Sequence, residues 1–324
     1  MLEAHEMRGL ASFLAIIGLA LTATAQVRIT EGLVNPPGSP DAGREFIEIQ
    51  SCQPNFSLQG YWLIGIDGEN VFNPGNIHWA IDLSAYSTGS NGLLLVRDGS
   101  AVLQPTPATE TTVVVITNAF SEADAAMDND SYTVALVRGF TGAPGSDIDA
   151  NDDGVIDNVL WSEAVHAFGW EDDEEAPGQP DHIYPTQLNG VDIPGSLRRR
   201  TDGSTWEPDV IIFFQNGSII AADAGRATGA GDFGPFLTST SNRAVIGTLP
   251  SQFNREVTPG NLNPGDRPAV EGDLNCDRCV DDADLLIVLF NFGNAGGQGD
   301  VNNDSIVDDA DLLIVLFNFG AGCQ

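Results

Sequence analysis

The sequence predicts a mainly β protein: an antiparallel β-sandwich followed by a small α-helical module made from one unit used twice. Three observations point there. Short apolar, partly alternating runs, separated by turn clusters, fill the chain from residue 27 to about residue 220. The 324 residues include 36 glycines and 18 prolines, which favour turns over long helices. Finally, Gly272–Gly293 is written again as Gly299–Gly320, and the core VDDADLLIVLFNFG is identical in both copies. A repeat this close is one supersecondary unit duplicated.

The strand-like runs are VRITEGLV, REFIEIQS, YWLIGIDG, GLLLVRDG, TTVVVITNAF, SYTVALVRGF and VIIFFQNGSII. Clusters such as NPPGSPDAG separate them, and short strands at this spacing predict a sandwich. His166 lies in a further strand-like run, AVHAF, where a satisfied core or edge histidine is expected. The organisation read from these features is a secretory signal at 1–25, a sandwich at 26–258, a Pro-, Gly- and Asn-rich linker at 259–270 and the duplicated module at 271–324.

Residues 1–25 have a positive start at Arg8, an apolar run from Leu10 to Leu21, and Ala23-Thr24-Ala25 before Gln26. That pattern predicts export with cleavage near Ala25, and Met7 begins a cleaner version of it. The run is shorter than the roughly 20 residues a spanning helix needs, and no later stretch could cross a bilayer. The expected location is therefore secreted or at the cell surface. All 13 basic residues are Arg, against 46 acids, for a net charge of −33. Such a charge argues against nucleic acids and anionic membranes as partners. Arg198, Arg199 and Arg200 form the one basic cluster, and pairing with nearby carboxylates is the expectation there.

Each copy of the repeat opens with a calcium-loop spacing. Asp273, Asn275, Asp277, Asp281 and Asp284 occupy positions 1, 3, 5, 9 and 12 of the first loop, and Asp300, Asn302, Asp304, Asp308 and Asp311 those of the second. Position 7 contributes a backbone carbonyl, from Cys279 or Ile306. Calcium needs six to eight oxygens, and four carboxylates gathered around one point repel one another without a cation. Position 6 is Arg278 or Ser305 where Gly is usual, so a left-handed turn there carries about 1–2 kcal/mol of strain. Position 12 is Asp in place of the longer Glu. Both departures predict micromolar to sub-millimolar affinity, suited to extracellular calcium. The segment LLIVLFNF after each loop is apolar nearly all round, so two short helices must bury more than one side and leave an apolar patch for a partner.

A third loop is DIDANDDGVIDN, where Asp149, Asn151, Asp153, Gly154 and Asp157 fit positions 1, 3, 5, 6 and 9 and Val155 offers its carbonyl. Position 12 is Leu160, so the closing ligand is missing unless Asp147 or Glu163 replaces it. A third calcium site that pins a long loop is expected here. The cysteines are Cys52, Cys276, Cys279 and Cys323. In a pseudo-twofold pair of loop–helix units the first loop and the end of the second helix are neighbours. This predicts a disulfide from Cys323 to either Cys276 or Cys279 and leaves Cys52 unassigned. Cys276 and Cys279 form a single CxxC among calcium ligands, which speaks against a zinc or redox site.

The duplicated loop–helix resembles a dockerin domain of the type I, EF-hand-like kind, over about residues 268–324. The resemblance implies a cohesin-like protein receptor, with self-association as the other partner class. It also implies that positions 10 and 11 face the partner: Asp282 and Ala283 in the first copy, Asp309 and Ala310 in the second. Their identity would allow docking in two orientations. The helices are shorter than in cellulosomal dockerins, and no Ser-Thr pair stands at those positions. Upstream, VRITEGLVNPPGSPDAGREFIEIQSC and LQGYWLIGIDGE, with the later SLRRRTDGSTWEPD and TPGNLNPG, resemble a lamin-tail-like domain over roughly 27–264. That resemblance implies an immunoglobulin-like sandwich that accompanies secreted bacterial proteins without being their catalytic part.

No nucleophile elbow, zinc-protease, phosphate-loop or dinucleotide motif appears, and His78, His166 and His182 are scattered. A glycosidase needs only two suitably spaced carboxylates, which 46 acids neither exclude nor nominate. Three functions follow: an exported non-catalytic protein that calcium arms for assembly or anchoring; a polysaccharide-degrading hydrolase component; or a structural cell-surface or matrix protein.

Overall fold

The computed structural model describes residues 26–33, 45–69, 73–98, 106–117, 119–120, 127, 131–170, 181–192, 211–215, 218–222, 258–263 and 267–323. The expected secretory signal, the acidic run 171–175 and Arg198, Arg199 and Arg200 lie outside these residues. The described chain is mainly β, with two sheets and two short helices.

Eleven strands are described: β1 (Val27–Leu33), β2 (Phe46–Ser51), β3 (Tyr61–Asp67), β4 (Ile77–Asp82), β5 (Leu93–Asp98), β6 (Thr112–Ile116), β7 (Tyr132–Arg138), β8 (Glu163–Trp170), β9 (Val191–Asp192), β10 (Ile211–Gln215) and β11 (Ser218–Ala222). One sheet has the order β11-β10-β1-β2-β5-β6 and the other β4-β3-β7-β8-β9. Two pairings depart from the expected antiparallel pattern: β5 with β6 and β8 with β9 are parallel. In each case the chain returns to the same end of the sheet before adding the next strand, as a parallel neighbour requires.

The two sheets share one core. Ile29, Ile47, Ile49, Leu94 and Val96 from the first meet Leu63, Trp79, Val134, Leu136 and Phe168 from the second. Alternation along β3 and β7 sends the remaining apolar residues to a second cluster, where Ile64, Ile66, Ala135 and Val137 pack against Ile148, Tyr184 and Leu188. Those last residues come from loops and from a 3-10 turn at Pro185–Leu188 that cover the outer face of the second sheet. Burial on both faces explains why YWLIGID and YTVALVR read as continuous apolar runs. Strand β4 was not foreseen, because IHWAID alternates buried and half-buried residues too weakly to stand out.

The outer face of the first sheet is covered by the segment expected as a linker. Its described parts, 258–263 and 267–270, are tied to the sandwich along their length. Thr258 and Gly260 donate their backbone N–H to Glu31 Oε1 (2.8 Å) and Glu48 Oε2 (2.9 Å). Asn263 donates to the Thr30 carbonyl (3.1 Å), Ala269 to the Asn91 carbonyl (3.1 Å), and Gln50 to the Arg267 carbonyl (3.0 Å). Gly260 turns at φ +69°, and a Cβ there would meet Pro107 at 2.6 Å, so the contact needs glycine.

Glu31 and Glu48 face each other across β1 and β2, and neither is exposed. Burial pushes the Glu31 carboxyl up to about 8, with the Thr258 amide and hydroxyl pulling the other way. The hydrogen-bond count agrees with a proton on Glu31. Thr258 Oγ1 lies 2.8 Å from both Glu31 Oε2 and Asn263 Oδ1 and has one hydrogen to give. Asn263 donates its own amide to Thr30, which fixes its Oδ1 as an acceptor. A protonated Glu31 completes the chain by donating to Thr258, which then donates to Asn263.

The unfolded chain releases this proton above about 4.5 and the folded chain keeps it to about 8, so stability falls as pH rises through that window. Glu31→Gln preserves the donor and acceptor pattern. It is expected to change stability by less than about 0.5 kcal/mol at pH 4 and to raise it by about 1–4 kcal/mol at pH 8. Urea unfolding at the two pH values checks this, and an equal difference at both contradicts a buried proton.

Candidate metal centre

The repeat folds as two loop–helix units. Helix α1 spans Asp282–Asn291 and α2 spans Asp309–Phe317. Each starts at a capping box: Asp281 accepts the Ala283 N–H while Asp284 accepts the Asp281 N–H, and Asp308 and Asp311 do the same in the second copy. Gly293 and Gly320, at φ +83° and +85°, follow the two helical segments. The units exchange backbone bonds. Val280 pairs with Gly320 and Ala321 beyond α2, and Val307 with Gly293 and Asn294 beyond α1, all at 2.8–3.0 Å. Leu274, Val280, Ile287, Val288, Val307 and Val315 form the small core between them.

The two loops share one hydrogen-bond frame. Asn275 Oδ1 accepts the Asp277 N–H and Asp277 Oδ1 the Cys279 N–H, both at 2.9 Å. Asn302 and Asp304 repeat this at 2.9 and 3.0 Å. Asp273 Oδ2 accepts the Arg278 N–H at 3.0 Å, and Asp300 Oδ2 the Ser305 N–H at 2.9 Å. Asp284 Oδ1 closes the first loop on the N–H groups of Leu274 (2.7 Å) and Asn275 (3.1 Å), and Asp311 closes the second on Val301 and Asn302 at the same distances. Positions 4 and 6 are left-handed in both: Cys276 (63°) and Arg278 (72°), Asn303 (58°) and Ser305 (76°). The strain foreseen at position 6 is present, and position 4 adds a second such residue.

Among the described residues, no group of three or more His, Cys, Asp or Glu side chains stands ready around one point to hold an ion. The loop carboxylates are turned instead onto backbone amides. Asp273 is the exception that bears on fit: it is 3% exposed, and its Oδ1 is buried with no hydrogen-bond partner. Burial pushes Asp273 up to about 6. The Arg278 amide opposes this, the Asp284 and Asp277 charges add to it, and the Asp277 amide, too poorly placed for a full hydrogen bond to Oδ1, opposes it weakly. Asp284 and Asp300 are also raised, chiefly by burial. A buried carboxylate oxygen aimed into an acidic loop and lacking a donor fits a hard cation.

The third loop repeats part of this frame. Asp149 accepts the Asp153 N–H (3.1 Å) and the Gly154 N–H (2.8 Å), and Asp153 accepts the Val155 N–H (3.0 Å). Asp152 (54°) and Gly154 (80°) are its left-handed pair. It differs in how it is held. The buried Tyr184 donates its hydroxyl to Asp149 Oδ2 at 2.9 Å, which together with burial raises the phenol's pKa. Gln187 clamps the Gly154 carbonyl (2.8 Å) and the Ile156 N–H (3.0 Å). Neither proposed stand-in for position 12 closes the loop. Glu163 lies 4.0 Å from Arg138, and Asp147 accepts the Asp149 N–H at 2.9 Å. Asp157 instead reaches the Ala150 N–H at 3.4 Å, while Asn151 contacts Asp153 at 3.3 Å.

All four cysteines are paired, Cys279 with Cys323 and Cys52 with Cys276. The second bridge joins the sandwich to the first loop across 224 residues of sequence. Beside it, Val270 donates to the Cys52 carbonyl (3.0 Å), Gly272 donates to Gln53 Oε1 (2.9 Å), and Gln53 donates to the Asp273 carbonyl. The partner positions inferred from sequence sit at the helix starts: Asp282, Asp309 and Ala310 are exposed, and Ala283 is half-buried. The more prominent surface lies further along each helix. Leu286, Leu289, Phe290 and Phe292, and their counterparts Leu313, Leu316, Phe317 and Phe319, are all exposed, Phe290 by 73% and Phe317 by 83%. Their signal in the sequence was the apolar run itself, with no polar face to set a boundary.

His166 is 7% exposed, and burial with the nearby Arg28 charge lowers its pKa to about 4, which suits a buried neutral ring better than a base near pH 7. No family profile, curated protein sequence or solved structure matches the chain. The two disulfides, and the fact that no helix among the described residues is long and apolar enough to cross a membrane, are compatible with an exported protein.

Removing the closing carboxylate strands three backbone donors in each loop. Asp284→Ala and Asp311→Ala are each expected to destabilise the module by about 2–4 kcal/mol. Helix circular dichroism followed through urea unfolding measures this, and a loss below about 0.5 kcal/mol contradicts the closing role.

Proposed function

We propose that this is an exported, non-catalytic protein whose duplicated C-terminal module is dockerin-like, binds two calcium ions and docks a protein receptor of the cohesin-like kind. The sandwich, read as immunoglobulin-like and lamin-tail-like, carries and presents the module. The observation that supports the calcium reading best is the buried Asp273 Oδ1, without a hydrogen-bond partner, in a loop whose frame recurs at Asp300–Asp311, where the equivalent Asp300 Oδ1 accepts the Asp304 N–H at 3.1 Å. Asp273, Asn275, Asp277, Asp281, Asp284 and the Cys279 carbonyl would hold one ion. Asp300, Asn302, Asp304, Asp308, Asp311 and the Ile306 carbonyl would hold the other. Bound calcium would supply positive charge to carboxylates that otherwise repel one another.

The docking reading rests on the exposed apolar side chains that recur at equivalent positions of α1 and α2. Soluble chains seldom leave such side chains clustered without a partner. The facing carboxylates Glu31 and Glu48 do not offer a hydrolase pair, since both are fully buried beneath the 258–263 segment, out of reach of a sugar chain.

A calorimetric calcium titration of the chelator-stripped full chain is expected to show two equivalents, with a gain of helical signal that chelation reverses. Silence at millimolar calcium overturns the calcium reading, and a third equivalent adds the loop of Asp149, Asn151, Asp153, Val155 and Asp157. For docking, a panel of cohesin modules on a sensor surface is expected to retain the chain in calcium and release it in chelator. Phe290→Asp combined with Phe317→Asp is expected to weaken retention at least about 100-fold while leaving calcium uptake unchanged. Retention that survives the double variant contradicts docking through these faces.

A further inference from the structure

The two loops share every side-chain ligand position and one frame, yet the structure embeds them differently. The first is built into the sandwich. Cys276 at position 4 is bonded to Cys52 and Cys279 at position 7 to Cys323. Gln53 bridges the Gly272 amide and the Asp273 carbonyl at the loop's start. The second loop has Asn303 and Ile306 at positions 4 and 7, both exposed, with Ile306 at 52%. It faces the sandwich across a cleft of about 330 Å³, with Asp300, Asn303 and Ser305 on one wall and Tyr61, Arg138 and Glu163 on the other. Asp273 is buried, whereas Asp300 is half-buried.

These differences in embedding favour calcium in the first loop. A left-handed turn at position 4 is tolerable for Asn303 and strained for Cys276. In the first loop covalent bonds hold that turn whether or not an ion is present, so less ordering remains to be done on binding. A buried oxygen without a donor also gains more from a cation than one that water can reach. Arg278 at position 6 works against this, but its charge sits at the end of a long side chain, while the bridges act on the loop backbone itself.

We infer that the two sites are unequal. The first loop is a preassembled, tighter calcium site that clamps the module to the sandwich, and the second is a weaker site that responds to changing calcium and so sets when the α2 face is ready to dock. This rests on the calcium reading proposed above. The tighter site remains filled at concentrations where the second empties, so the module stays attached and half-formed instead of unravelling as a whole.

Calcium titration of the full chain tests this by calorimetry. Two dissociation constants about tenfold or more apart are expected, in keeping with the ordering that the bridges remove. Asp304→Asn with Asp308→Asn is expected to abolish the weaker site, and Asp277→Asn with Asp281→Asn the tighter one. Cys52→Ser with Cys276→Ser is expected to weaken the tighter site about tenfold and to leave the other unchanged. If the cysteine variant fails to fold, the two loop variants decide the matter with both bridges intact. Equal affinities, or a loop-two variant that loses the tighter site, overturn the inference. No calcium uptake by either loop overturns instead the reading on which it rests.

Discussion

The fold depends on buried carboxylates that satisfy backbone N–H groups where no regular ladder can. Glu45 takes the Met127 amide, Glu31 that of Thr258, Glu48 that of Gly260, Asp149 those of Asp153 and Gly154, and Asp284 and Asp311 three amides each. In a chain with 46 acids and no lysine, such acids find amide donors far more readily than cations. A charged or proton-sharing acceptor makes a stronger bond to an amide than a neutral one, and an orphaned buried amide is costly. Long irregular segments can therefore be held against the sheets without helices or strands of their own.

That constraint links the sandwich to the module. Glu31 and Glu48 fasten the start of the covering segment to β1 and β2, and Gln50 holds it again at Arg267. The chain then enters the first acidic loop already positioned, and Cys52 and Gln53, just beyond β2, seize that loop directly. The central β1–β2 pair of one sheet thus orients everything that follows. The second loop inherits its place through the Val280 and Val307 backbone pairs and the small core of six buried residues. Its coupling to the sandwich is indirect, as the cleft beside Asp300 shows.

The apolar runs of β1, β2, β3, β5 and β7 were legible because burial forces their composition, that of β6 from its β-branched residues although Val113 and Val115 are exposed, and the repeat because duplication is visible in letters alone. Strand β4 was not, since its alternation is shallow, and neither was the parallel pairing of β6 and β9, since pairing direction depends on connections rather than on the strand. The loop frame was legible from spacing, down to the strained position 6. Cys52–Cys276 lay beyond reach, because 224 residues of separation leave no local trace of which thiols meet. The burial of Glu31 and Glu48 also left no trace in the letters. An acid in an apolar run suggests a wet face, and only the covering segment shows that the face is dry. The exposed helix faces were anticipated as a patch, but which side of an all-apolar helix faces water is decided by its partner in the core.

Helices of ten and nine residues are too short to hold in water by themselves. Each is held by its capping box at one end and by Val288 or Val315 in the small core, which bury one side only. Nothing in that arrangement requires Leu286, Leu289 and Phe290, or Leu313, Leu316 and Phe317, to be apolar, and polar residues there would keep the helices as stable and more soluble. Solubility falls instead to the net charge of −33, which makes copies of the chain repel one another while leaving the apolar faces open. A surface arranged so is poorly suited to self-association. On the docking reading proposed above, it would suit a partner that brings an apolar groove with basic residues near Asp282 and Asp309, where the exposed carboxylates at the helix starts would meet them.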